Sequence, residues 1–339
     1  MTASAMICGL AGERLGDHER QFLRAAEPAG LILFARNCTA PEQIYRLINE
    51  ARDAIGRDDT LVLVDQEGRR VQRLAPPTWR ALPNACQFGE LFERSPDEAI
   101  DAATHVARLI ADDLRQLGFN TDCMPVLDTP VEGAHDIIGP RAFSRDPGRV
   151  AALGRAFGEG LSSGGILAVG KHVPGHGRAR ADTHTDMAIV EADLGDLRAL
   201  DFAPFRQTAA DLQAMMTAHV IFAAVDETEP ASTSRRMHDD IIRGEIGFDG
   251  LLMSDDLSME ALDGTIPRRA ERVLAAGSDL ALHCNGDLAE MEAVAEVVPR
   301  LAGAGVERLA QAVAVHARCD PFDREQAAAV CEALAGDAS

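Results

Sequence analysis

Short apolar runs alternate with amphipathic stretches along almost the whole chain. Eight of the runs read as strands: "AMICGL" (5–10), "GLILFA" (30–35), "TLVLVD" (60–65), "NTDCMPVLD" (120–128), "GILAVGKHV" (165–173), "AMMTAHVIF" (214–222), "GLLMSDD" (250–256) and "DLALHC" (279–284). Most are apolar throughout rather than at every second position, as expected of parallel strands covered on both faces. The stretches between them carry a helical period. "PEQIYRLINEARDAI" places Ile44, Leu47, Ile48, Ala51 and Ile55 on one face. In "SPDEAIDAATHVARLIADDLRQLG", Ser95 reads as the N-cap, Pro96 as the first helical residue, Glu98 as the far half of a capping box and Gly118 as the stop. Asp146 and Pro147 open "DPGRVAALGRAFGEGL" in the same manner. Eight strands with helices between them predict an α/β fold, a TIM-like (β/α)8 barrel forming a single domain over residues 1–339. An open, doubly wound sheet is the other arrangement of the same elements. Only "LAGDAS", residues 334–339, reads as a frayed tail.

Composition narrows the partners more than the fold. The 339 residues are 46% apolar and 26% charged, the balance of a globular chain with a large core. Acids outnumber bases 54 to 33, giving a formal charge of -21. Such a surface repels polyanions, so nucleic acid and anionic membranes are poor partners. Seven scattered cysteines without a CxxC pair read as reduced core residues. The start, "MTASAMICGLAGERL", lacks the basic and apolar regions of a signal peptide, and no run reaches the ~18 apolar residues of a membrane helix. A cytoplasmic protein with no obligatory protein partner is the expectation.

Chemistry gathers at the C-terminal ends of barrel strands. There the sequence places Asp65, Asp128, Lys171, His172, His219, Asp255, Asp256 and Asn285. Ionisable groups beside apolar strands are costly unless they share a pocket.

The stretch "KHVPGHGRARADTHTDMA" (171–188) admits three readings. His172, His176, Asp182, His184 and Asp186 offer metal ligands but lack an HExxH helix or paired cysteines. "PGHG" is not followed by the GK[ST] of a phosphate loop, and its glycines suit turns. In an extended segment Asp182 and His184 project to the same side, where a carboxylate on one ring nitrogen fixes the tautomer and leaves the other to exchange a proton. That is a general acid/base dyad; the plain alternative is a solvated polar loop. In "LLMSDDLSM", Asp255 is the nucleophile candidate nearest the strand end, while Asp256 or Ser258 suits a cap. No metal or organic cofactor is implied.

"KHVPGHG" with "DTH" eleven positions past its lysine, together with "SDDLSM", "VDQEG", "LILFARN" and "IGPRAFS", resembles the bacterial β-N-acetylglucosaminidases of glycoside hydrolase family 3. The likeness is to the short, single-domain, cytoplasmic type of peptidoglycan recycling, and it runs from about residue 7 to about residue 286. It implies a retaining, two-step displacement of terminal GlcNAc from muropeptides, with Asp255 as nucleophile, His184 as acid/base and Asp182 as its partner. By the same likeness Asp65, Arg73, Arg141, Lys171 and His172 would hold the sugar, with ordinary ion pairing at the barrel mouth as their alternative role. The sequence departs from the family at Arg69, where a second glycine is usual, and at Thr183, where serine is commoner. A β-glycoside phosphorylase and a silent sugar sensor on the same scaffold are the competing functions.

Overall fold

The structure, a computed structural model, describes residues 2–179 and 187–336. Eight parallel strands close into a barrel in chain order: β1 (Ser4–Gly9), β2 (Pro28–Leu33), β3 (Leu61–Val64), β4 (Thr121–Asp122), β5 (Leu167–Val173), β6 (Ala214–Thr217), β7 (Leu251–Asp256) and β8 (Leu280–His283). Each pairs with its sequence neighbours, and β8 returns to β1 through pairs such as Ile7 with Leu282. The closed ring settles the choice against an open sheet.

The continuous apolar runs are needed because both strand faces are covered. Ile7, Leu61, Leu63, Leu167, Val169, Ala214, Met216, Leu251, Met253, Leu280 and Leu282 pack together as one cluster, the filling of the barrel. Their neighbours Met6, Cys8, Leu31, Leu33, Val62, Val64, Met215, Leu252 and Ala281 pack in a second cluster against the surrounding helices. The two-residue period of a strand produces this division. Those helices include α1 (Asp17–Ala26), α2 (Pro41–Ile55), α3 (Ala85–Arg94), α4 (Pro96–Leu117) and α5 (Pro147–Ser163).

Helix ends follow the sequence with one exception. Gly118 stops α4 in a left-handed conformation (φ 95°), and Asp146 caps α5 by accepting from the Arg149 N–H at 2.9 Å. Ser95 stands at the N-cap of α4, but its side chain makes no cap hydrogen bond, so the capping box expected with Glu98 does not form.

Two strands are shorter than their apolar runs. The run 120–128 contributes only Thr121–Asp122 as regular strand, because Pro125 has no N–H for the ladder; Leu127 rejoins β5 by donating to the Lys171 carbonyl at 2.6 Å. The run 214–222 divides after Thr217. Its second half, Val220–Phe222, leaves the barrel to pair in parallel with Ala188–Val190. Where fraying was expected from Leu334, a helix over Arg324–Gly336 holds: Leu334 is buried, its carbonyl accepts from Gln87, and the Ala335 carbonyl accepts from Arg69. Among the described residues no helix is long and apolar enough to cross a membrane.

Candidate active site

The alternation that fills the barrel also loads its C-terminal end. On β3 the inward series Leu61, Leu63 continues to Asp65; on β5 Leu167, Val169 continues to Lys171; on β7 Leu251, Met253 continues to Asp255. These three residues line one cavity of about 370 Å³, floored by Met216 and Leu282 of the same inward layer. Arg73, Arg141 and His172 line it too, so all six described residues expected at the site meet there. Asp182 and His184 lie outside the described residues, as do Thr183 and Asp186.

A web of ion pairs fixes the donors. Lys171 places its Nζ 2.9 Å from Asp65 Oδ1 and 2.7 Å from Glu67 Oε1, and Arg73 donates to Asp65 Oδ2 at 2.8 Å. Arg141 grips both oxygens of Glu67 at 2.7 and 2.8 Å. Burial alone would push the carboxyls of Asp65 and Glu67 up; the fields of Lys171 with Arg73 or Arg141 overcome it, holding Asp65 well below the usual carboxylate range and Glu67 below it. Burial likewise opposes the Lys171 charge, yet its two carboxylates raise it above an ordinary lysine. The ion pairing offered as an alternative to sugar binding is therefore present, but in the cavity wall. Lys171 keeps one of its three N–H donors beyond these two contacts.

Glu67 went unassigned in the sequence although it sits inside "VDQEG". No sequence pattern marked it: the three-residue strand Gln66–Gly68 folds antiparallel onto Val71–Gln72 and returns the carboxylate to Lys171.

Asp128 organises the turn after β5. It accepts from His172 Nδ1 at 2.7 Å and from the backbone N–H groups of His172 at 3.2 Å and His176 at 2.7 Å. Against the cost of burial, these partners hold its carboxyl down at about 2. The carboxylate thus fixes Nδ1 of His172 as donor and leaves Nε2 as the nitrogen for a ligand. The glycines of "PGHG" are turn residues of a demanding kind. Gly175 has φ 137°, and a Cβ on Gly177 would collide with the Thr129 carbonyl oxygen. His176, also in the cavity wall, is pushed down to about 4, by burial first and by His172 second, so it is neutral at neutral pH.

The two adjacent carboxylates diverge as strand geometry requires. Asp256 binds Cys284 N at 3.0 Å, Ser258 N at 3.1 Å and the Ser258 hydroxyl, tying β7 to the end of β8. Asp255 accepts only from the Asp256 N–H, at 2.8 Å, among the hydrogen bonds of the described residues. Burial pushes the Asp255 carboxyl up, but His172, His219, the Asp256 N–H and Lys171 prevail and hold it below the aspartate norm. Burial holds His219 below the histidine norm; its ring bridges the Ser232 hydroxyl at 2.7 Å and the Asp256 carbonyl at 3.0 Å. An ionised carboxylate with most of its lone pairs unspent is a nucleophile or a stabiliser of positive charge. Asn285 does not join the site: it is exposed and binds Glu290 at 2.6 Å. Among the described residues no group of three or more His, Cys, Asp or Glu is placed to hold a metal ion.

Residues 6–315 match the family described as the glycosyl hydrolase family 3 N terminal domain. The chain belongs to that family. It is 40% identical over 289 residues to the beta-hexosaminidase of Bordetella avium (strain 197N), covering 84% of this chain and 82% of that one. It is also 40% identical over 304 residues to the beta-hexosaminidase of Pseudomonas aeruginosa (strain LESB58), covering 88% and 87%. The crystal structure of NagZ from Neisseria gonorrhoeae in complex with N-trifluoroacetyl-D-glucosamine superposes with a TM-score of 0.88, at 32% identity and 99% coverage of both chains. The chain is a glycosidase of the β-hexosaminidase type, on the TIM-like barrel its strand pattern predicted.

Proposed function

We propose that the protein is a retaining exo-β-N-acetylglucosaminidase that takes non-reducing GlcNAc from peptidoglycan-derived muropeptides in the cytoplasm, the substrate being GlcNAc-1,6-anhydro-MurNAc with or without its peptide. The observation that carries the reading is Asp255, an ionised carboxylate at the C-terminal end of β7, in a cavity that it shares with the ion-paired donors Lys171, Arg73 and Arg141. At about 370 Å³ the cavity is at the small end of ligand sites, which suits one terminal sugar rather than a chain. Binding of N-trifluoroacetyl-D-glucosamine by the Neisseria NagZ supports a GlcNAc-shaped ligand; the muropeptide and the compartment rest on the family likeness.

In the first step a carboxylate oxygen of Asp255 bonds to the anomeric carbon as the glycosidic C–O bond breaks, and His184, steadied by Asp182, gives its proton to the leaving oxygen. In the second, neutral His184 takes a proton from water as the water oxygen bonds to the anomeric carbon and Asp255 departs. Arg73, Arg141, Lys171 and the Nε2 of His172 orient the hydroxyls throughout. Digestion after trapping with a 2-fluoro-sugar should find the adduct on the peptide bearing Asp255; an adduct on another residue would overturn the assignment. Product analysis in phosphate buffer should yield free GlcNAc, and GlcNAc-1-phosphate would make the protein a phosphorylase.

A further inference from the structure

At the opposite end of the barrel lies a second cavity, of about 820 Å³. Its walls come from the segments that enter strands: Gly56–Asp58 ahead of β3, Gly118–Asn120 ahead of β4 and Gly165 ahead of β5. Residues of the sugar site stand where strands end, so the two cavities are separated by the packed barrel.

This cavity is basic in a strongly acidic protein. Arg52 of α2, Arg57 of the following loop, Arg115 of α4 and His316 all line it. Arg52 Nε, Arg57 Nη1 and His316 Nε2 are buried and have no hydrogen-bond partner among the described residues. The rest of Arg57 is held by Asp59 at 2.7 Å, whereas among the described residues Arg115 reaches only carbonyls, Arg318 at 3.0 Å and Gly164 at 3.5 Å. Asp53 and Asp58 stand exposed on the rim, and neither forms an ion pair with Arg52 or Arg115 among the described residues. Buried polar groups without partners cost stability, and an anion that hydrogen-bonds to the arginines removes that cost.

We propose that this cavity is a binding site for a phosphate group, carried by inorganic phosphate or by a small phosphate monoester. The number of donors around the cavity selects phosphate over carboxylate: three arginines from separate segments line it, with His316 beside them. His316 Nε2 lacks a partner among the described residues, as do Arg52 Nε and Arg57 Nη1. A phosphate group supplies three or four acceptor oxygens to such a set; a carboxylate supplies two. Burial, Arg52 and Arg115 push His316 down to about 4, and an anion between them reverses the last two effects. Exposed Tyr45 borders an adjoining depression that shares Asn49 and Asp53 with the cavity, where the body of a monoester would lie.

Calorimetric titration of the full chain with sodium phosphate, glucose 6-phosphate and sodium acetate at fixed ionic strength tests the site. Expected are one saturable phosphate site per chain, no saturation with acetate, and an upward shift of the His316 imidazole titration followed by NMR. Arg52→Gln and Arg115→Gln should each weaken binding about tenfold or more, with turnover of a chromogenic GlcNAc glycoside unchanged. Arg115 is exposed and bonded only to carbonyls, so its variant keeps the test valid should Arg52→Gln unfold. Tighter binding of glucose 6-phosphate than of phosphate assigns the site to an organic monoester; equal binding assigns it to the free ion. Absence of saturation with either phosphate, affinity retained in the double variant, or competition by GlcNAc would overturn the proposal.

Discussion

The Lys171 ammonium lies 2.7 Å from the Glu67 carboxylate, with both side chains 3% exposed. So deeply buried a pair is held by its neighbours as much as by itself, because Lys171 also has Asp65 and Glu67 also has Arg141. Glu67→Gln removes the charge that holds two cavity-lining cations in place. It should cost on the order of 3 kcal/mol in chemical denaturation, since Arg141 is left as an under-compensated buried charge. KM for a chromogenic GlcNAc glycoside should rise about tenfold, with a smaller fall in kcat. The paired replacement Glu67→Leu with Arg141→Met, which leaves Lys171 its Asp65 partner, should recover stability but not affinity. Recovery of both would show that the web serves the fold alone.

Asp255 and Asp256 are neighbours with opposite duties, and substitution should separate them. Asp255→Asn keeps an acceptor for the Asp256 N–H, so the variant should melt cooperatively while turnover falls by roughly a thousandfold or more. Asp256→Ala strands the N–H groups of Cys284 and Ser258, which should cost about 1–3 kcal/mol and reduce activity less severely. Thermal melts and steady-state rates on the two purified variants decide the matter; a reversed pattern would exchange the roles.

Strand number and order were legible because a closed parallel barrel needs continuous apolar runs, and all eight appear in the sequence. What periodicity could not show was where a run leaves the barrel. Val220 continues the apolar character of Met215 and Met216, but its partner is Ala188, on the far side of the excursion after β5. At the site, Asp65, Lys171 and Asp255 were legible because they extend inward-facing rows of strand residues. Glu67 was not, since its position depends on a reversal of only a few residues after β3. Nor did the Arg69 departure reveal its use: the side chain reaches the Ala335 carbonyl, linking the β3 loop to the last helix, where glycine offers no such contact.

His184 carries the proposed proton transfer, and leaving-group chemistry exposes that role. A dinitrophenolate needs almost no protonation as it leaves, whereas a sugar alkoxide needs it fully. His184→Ala should therefore lower kcat/KM for a disaccharide at least about a hundredfold more than for the dinitrophenyl GlcNAc glycoside. Added azide should form a glycosyl azide in the variant, because a small anion can attack the glycosyl-enzyme without general-base help. Equal losses on both substrates would remove His184 from the first step.

His176 makes stability depend on pH in a window set by its own shift. Burial, then His172, lowers it from an ordinary 6.5 to about 4 in the folded chain. Between those values the unfolded chain binds the proton more readily, so stability falls as pH drops. The contribution is fully present above about pH 6.5, is lost progressively toward pH 4, and changes no further below that. A shift of this size corresponds to on the order of 3 kcal/mol. Gln keeps a polar side chain at the site but cannot take up the proton, so His176→Gln should flatten this part of the curve. Urea denaturation of wild type and variant at pH 7.5 and pH 4.5 checks it: the wild type should lose the larger share of its stability. His219 and His238, also held below the ordinary value by burial, remain in both proteins and cancel in the comparison. Parallel pH curves would place the folded-state titration of His176 near that of a free histidine, and its ring would then be a candidate second cation beside Asp255.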